Sequence, residues 1–184
     1  KGKKENEKKT GLFMSDLMIS PKDTSDFSIS QHNWERTNKI PQLILNATCL
    51  NTGHNWQFTA SWMGEPPTYL SKSFDVKKRL RRMYYKHAPD GHKNFPIGNA
   101  VAASSCVPVM FEPLILKSLY PGIDVELVDG GVHDNQGIAS ILEQECDCIY
   151  ICDGSSQLPD DAKTTGNEFS LFFCVVNVVQ ERVR

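Results

Sequence analysis

From Pro41 onward, short apolar runs alternate with clusters of turn-forming residues, and this punctuation predicts the elements. Gln42 to Ala47 is a short apolar run between Pro41 and the Thr48/Asn51/Gly53 cluster, the pattern of a buried strand. Asn55 to Ala60 reads as a second strand, joined to the first as a hairpin through Asn51, Thr52 and Gly53. The small residues of Ile97 to Cys106 predict a close-packed helix that stops near Pro108. Asp124 to Val128 predicts a strand, and Asp129, Gly130 and Gly131 a tight turn. Gln136 to Glu145 reads as a helix capped by Asp134 or Asn135, and Asp147 to Cys152 as the next strand. A strand, helix, strand succession implies a parallel pair with a crossover helix, so the expected fold class is α/β. In such sheets ligands gather beyond the carboxyl ends of the strands, which is where Asp129 falls.

Outside these runs the chain is more polar. Residues 1–40 read as a polar loop or linker region: Lys1 to Lys9 holds five lysines and two glutamates with no apolar side chain, and Gly11 to Lys39 suits a loop or lid. From Tyr69 to Tyr85 the pattern is polar and basic, ending in Lys77, Lys78, Arg79, Leu80, Arg81 and Arg82. This reads as an exposed helix face with a secondary use against anionic lipid. Ser170 to Arg184 is apolar nearly all round its first half and stops without a cap. With the ragged start, this leads to the expectation that the chain is cut from something longer.

The 184 residues, 40% of them hydrophobic, are enough for one globular unit or a large part of one. A formal net charge of -2 gives no general attraction to phosphate backbones, so nucleic acid is not an expected partner. Cys49, Cys106, Cys146, Cys148, Cys152 and Cys174 lie mostly in apolar runs and read as reduced, buried thiols. Cys146, Cys148 and Cys152 lack a Cys-x-x-Cys knuckle with a second ligand pair, so no metal or other cofactor is expected. No window reaches the roughly 20 apolar residues of a membrane-spanning helix. A cytoplasmic or peripheral-membrane location is the expectation.

The candidate chemistry centres on Val128-Asp129-Gly130-Gly131-Val132-His133-Asp134-Asn135-Gln136-Gly137. A carboxylate directly after a buried strand, followed by two residues without a Cβ, can serve as a general base in a sharp turn. Equally, it can hydrogen-bond the amides of its own turn. Spacing alone leaves both readings open.

The run Asp129-Gly130-Gly131 with Asp134-Asn135 resembles the aspartate motif of the patatin-like phospholipase family. Ala100 to Pro113 resembles the small-residue, proline-bearing block upstream of that motif, and Pro41 to Phe58 the hairpin region before it. The resemblance covers roughly Pro41 to Gly154. It implies a three-layer patatin-like fold with a mostly parallel central sheet, incomplete in this chain, with 41–184 as its C-terminal portion. It also implies a lipid acyl hydrolase that works by a Ser-Asp dyad, with Asp129 as proton acceptor and Gly130, Gly131 and Asn135 supporting the turn. The implied partners are a phospholipid or other acyl-ester lipid, with membrane-surface contact.

The chain departs from the family in lacking both the Gly-x-Ser-x-Gly elbow and the Gly-rich oxyanion loop. The nucleophile is therefore expected on a missing N-terminal segment or a second chain, and this chain alone is expected to be inactive. Ser104 and Ser105 lack the glycines of an elbow, Ser155 and Ser156 have no recognisable base beside them, and His133 is not needed by a dyad. The alternatives are a catalytically silent patatin-like domain that binds lipid or protein, and a metal-binding domain built on the cysteine cluster.

Overall fold

A computed structural model describes residues 11–66, 80–144 and 146–152, together with 167, 170–172, 174–176 and 178. Six strands form one sheet: β1 (Leu45–Cys49), β2 (His54–Phe58), β3 (Trp62–Gly64), β4 (Met83–Tyr84), β5 (Leu114–Tyr120) and β6 (Ile123–Asp129). Their order is β4-β3-β2-β1-β6-β5, and every pairing is antiparallel. The short helices are α1 (Ile29–His32), α2 (Ile97–Ser104) and α3 (Ile138–Leu142).

This corrects the expected fold class: the sheet is antiparallel, not mostly parallel, and no three-layer α/β arrangement forms among the described residues. The predicted crossover required a strand at Asp147 to Cys152 beside β6. Those residues form no strand, and both neighbours of β6, β1 and β5, run against it. Cys146, Cys148 and Cys152 are exposed rather than buried, and Tyr150 is 90% exposed. The apolar run Ile149-Tyr150-Ile151 therefore packs into no core among the described residues. β5 and β6 instead form a hairpin in which Tyr120 pairs with Ile123 across Pro121 and Gly122. Gly122, at the second central position after Pro121, takes a positive φ of 71°, which glycine adopts without steric cost.

The β1–β2 hairpin forms as the sequence pattern predicts, with Leu45 opposite Phe58 and Cys49 opposite His54. Asn51 in its loop ties the hairpin to β6, since its Nδ2 donates to the Asp124 carbonyl at 3.0 Å and its Oδ1 accepts from the Glu126 amide at 2.9 Å.

Period-2 alternation gives the central strands two different faces. Ala47 and Cys49 of β1, Trp56 and Phe58 of β2, and Val125 and Leu127 of β6 belong to one apolar core with Met14, Met63, Phe95 and Leu116. The Phe58 and Phe95 rings stack at 5.2 Å, and Trp56 meets Tyr120 edge-on at 6.5 Å. Each such side chain contributes about 1.5–3 kcal/mol by burial, so the core aromatics dominate cohesion. Ala100 and Ala103 are fully buried, and these small side chains let α2 lie close against β1 and β6.

The other face is polar. Ser140 of α3 donates to Asn46 Oδ1 at 2.5 Å and accepts from Asn55 Nδ2 at 2.9 Å and Gln57 Nε2 at 3.0 Å. Gln57 Nε2 also donates to Glu143 at 2.9 Å. α3 is thus fastened to the sheet by hydrogen bonds among buried polar groups, which are costly to leave unmade.

The predicted helix at Gln136 to Glu145 is shorter than expected, and its N-cap is Gly137 rather than Asp134 or Asn135; Asp134 accepts from the Ala139 amide at 2.7 Å from the loop before it. Residues 1–10 and 67–79, which carry the N-terminal lysines and Lys77, Lys78 and Arg79, lie outside the described residues, as do Ser155 and Ser156. No helix among the described residues is long and apolar enough to cross a membrane.

Candidate functional site

Asp129 is the last residue of β6 and pairs with Ala47 of β1. Its backbone is pinned on both sides: its amide donates to the Cys106 carbonyl at 2.9 Å, and its carbonyl accepts from Thr48 Oγ1 at 2.8 Å. Gly130 and Gly131 then enter a single 3-10 turn, Gly130–Val132. At Gly130 a Cβ would stand 2.7 Å from the Asn46 carbonyl oxygen and 2.9 Å from its carbon, so only glycine lets the turn leave the sheet this close to β1.

The Asp129 carboxylate is divided in its use. Oδ1 accepts from the Gly131 amide at 2.7 Å. Oδ2 has no hydrogen-bond partner among the described residues. One oxygen therefore orients the group, and the other has lone pairs unused among the described residues.

The carboxylate stands in the wall of an open cleft of about 290 Å³. Ile44, Leu45 and Asn46 form one side, and Ser104 and the loop from Asp134 to Gly137 the other. This is an antiparallel sheet, so the carboxyl-end rule for parallel sheets does not explain the location. The cleft exists because β6 ends where β1 begins, and the 130–137 loop curls back over Asn46.

All four residues expected at the site are brought together: Asp129, Gly130, Gly131 and Asn135 line this one cleft. Asn135 Oδ1 would lie 2.9 Å, and Asp129 Oδ1 3.1 Å, from a Cβ on Gly131, so this glycine keeps room for two side-chain oxygens. His133 is not in the cleft wall, and its Nδ1 is buried without a partner among the described residues. Beside the site, the buried Cys106 thiol donates to the Glu112 carbonyl at 3.1 Å. Burial pushes that thiol's pKa up, and the nearby Asp129 carboxylate pushes it further, so it stays protonated.

One residue of the cleft was not singled out from sequence. Asn46 supplies the carbonyl against Gly130 and one anchor of the Ser140 network. The available signal was a polar residue within the apolar run Leu45-Asn46-Ala47. Ser104, set aside from sequence for want of an elbow, shares the cleft with Asp129. It closes α2 at the carboxyl end, where unpaired carbonyls concentrate negative charge.

No protein-family model, no curated protein and no solved structure matches the chain. The family resemblance therefore rests on the residues quoted for it above.

Proposed function

We propose that this chain supplies the proton-accepting aspartate of a serine-dependent lipid acyl hydrolase, with the nucleophilic serine coming from outside these 184 residues. Asp129 takes the serine proton as the hydroxyl attacks the ester carbonyl, an acyl-enzyme forms, and water then clears it. One observation carries the reading: Asp129 lies in a cleft wall with Oδ1 held by the Gly131 amide and Oδ2 unpartnered among the described residues. A carboxylate serving only to close its own turn would account for Oδ1 and leave Oδ2 without a use.

Ser104 is the nearest in-chain candidate for the nucleophile, and electrostatics disfavours it. An activated serine builds negative charge on its oxygen and on the substrate oxyanion, and a helix N-terminus stabilises both. Ser104 sits at the opposite pole of α2.

The test uses the complete hydrolase and a short-chain acyl ester. Asp129→Asn keeps the shape of the side chain and removes its basicity, and should lower turnover by about 10²–10⁴-fold. Ser104→Ala should leave turnover unchanged. An inactive Ser104→Ala variant that no longer reacts with a fluorophosphonate would transfer the nucleophile into this chain and overturn the proposal.

A further inference from the structure

A second and larger cavity, of about 560 Å³, shares no lining residue with the Asp129 cleft and lies between the 15–29 segment and strands β3 and β4. Its volume falls in the range of small-molecule sites. Met18, Phe27, Leu43 and Trp62 give it apolar walls. Its cations are Arg82 and Lys86, against one carboxylate among the described lining residues, the exposed Asp26.

Two polar groups in this wall have no hydrogen-bond partner among the described residues. Tyr85 is 4% exposed, and its hydroxyl is buried with no hydrogen-bond partner among the described residues. Arg82 Nε is likewise buried and unpartnered, and Arg82 makes no ion pair with any described residue. The Arg82 guanidinium lies 4.1 Å from the centre of the Trp62 ring, which fixes the plane of the fork. Burying a hydroxyl and a guanidinium N–H without acceptors is costly, and a ligand that brings acceptors removes that cost. Burial also pushes the Tyr85 phenol upward, so the group remains a donor.

We propose that this cavity binds a single-chain amphiphile with a carboxylate head, the head held by Arg82 and Tyr85 and the alkyl chain lying along Met18, Phe27, Leu43 and Trp62. A planar carboxylate accepts two parallel bonds from a guanidinium fork, and the Tyr85 hydroxyl supplies a further donor. The site is distinct from the Asp129 cleft and does not depend on the hydrolase reading.

The test is isothermal titration of the 184-residue chain with decanoate, decanol and decyltrimethylammonium. Decanoate should bind one to one, and at least tenfold more tightly than either of the others. Arg82→Gln should weaken decanoate at least tenfold while leaving decanol unchanged. Tyr85→Phe removes a hydroxyl that bonds nothing among the described residues, so it should leave the unliganded protein at least as stable as wild type and weaken decanoate several-fold. Asp129→Asn should leave decanoate affinity intact. Equal affinity for decanoate and decanol would overturn the proposal. So would unchanged decanoate binding in Tyr85→Phe, or loss of binding in Asp129→Asn rather than Arg82→Gln.

Discussion

Gly130 passes so close to Asn46 that a single added methyl group would stand 2.7 Å from the Asn46 carbonyl oxygen. This contact joins the end of β6 to the start of β1, and it sets where the Asp129 carboxylate stands. The obstructing atoms belong to the backbone of a paired strand and cannot rotate away. Gly130→Ala should therefore lower stability by about 1–3 kcal/mol, the usual cost of overpacking, read as a reduced urea midpoint. An unchanged midpoint would mean that β1 and β6 are not locked at this point.

Gly131 offers a contrast, because a methyl there meets side-chain oxygens of Asn135 and Asp129 instead of backbone. Gly131→Ala should leave the urea midpoint nearly unchanged while displacing the carboxylate. In the proposed hydrolase, activity should then fall with little loss of fold. Equal losses in both would show that the turn is structural only.

Ser140 joins three side chains from two strands, Asn46, Asn55 and Gln57, and is 1% exposed. Ser140→Ala removes their shared partner and leaves buried donors and an acceptor unmet. The expected cost is about 1–3 kcal/mol of unfolding free energy. A change below about 0.5 kcal/mol, the usual size for an inconsequential surface change, would mean that water replaces the serine.

Alkaline pH should weaken the fold. Burial raises the pKa of Cys49 and Tyr85; it also raises Cys106, with the Asp129 charge adding, and Tyr120, with the Glu65 and Cys49 charges adding. Above the ordinary thiol value of 9.0, the unfolded chain holds fewer of these protons than the folded one. Their contribution is therefore fully present below that value and is lost as pH climbs through the raised ones. The urea midpoint should fall steadily above pH about 9, and Cys49→Ala should flatten the slope. A midpoint independent of pH in that range would contradict the assignment.

The parts legible in the sequence were those whose chemistry is local. The β1–β2 hairpin announced itself through Asn51-Thr52-Gly53 between apolar runs, α2 through its small residues, and the Asp129 turn through two adjacent glycines. Strand direction was not legible, because an apolar run reports burial and carries no sign of which way its neighbour points. β5 was missed because its alternation breaks: the pairing slips between Leu116 and Tyr120, where Ser118 takes a φ of 54° and its amide bonds the Asp124 carboxylate at 2.7 Å. Ile149, Tyr150 and Ile151 misled in the opposite way, being apolar enough for a strand yet largely exposed. At the site, the motif named the carboxylate and its glycines. Asn46 came into view only through its approach to Gly130, more than eighty positions away.

The most direct measurement is ester turnover by the proposed hydrolase carrying Asp129→Asn, with the urea midpoint recorded on the same preparation. The account predicts turnover down by about 10²–10⁴-fold at an unchanged midpoint. Wild-type turnover from a folded Asp129→Asn variant would contradict it.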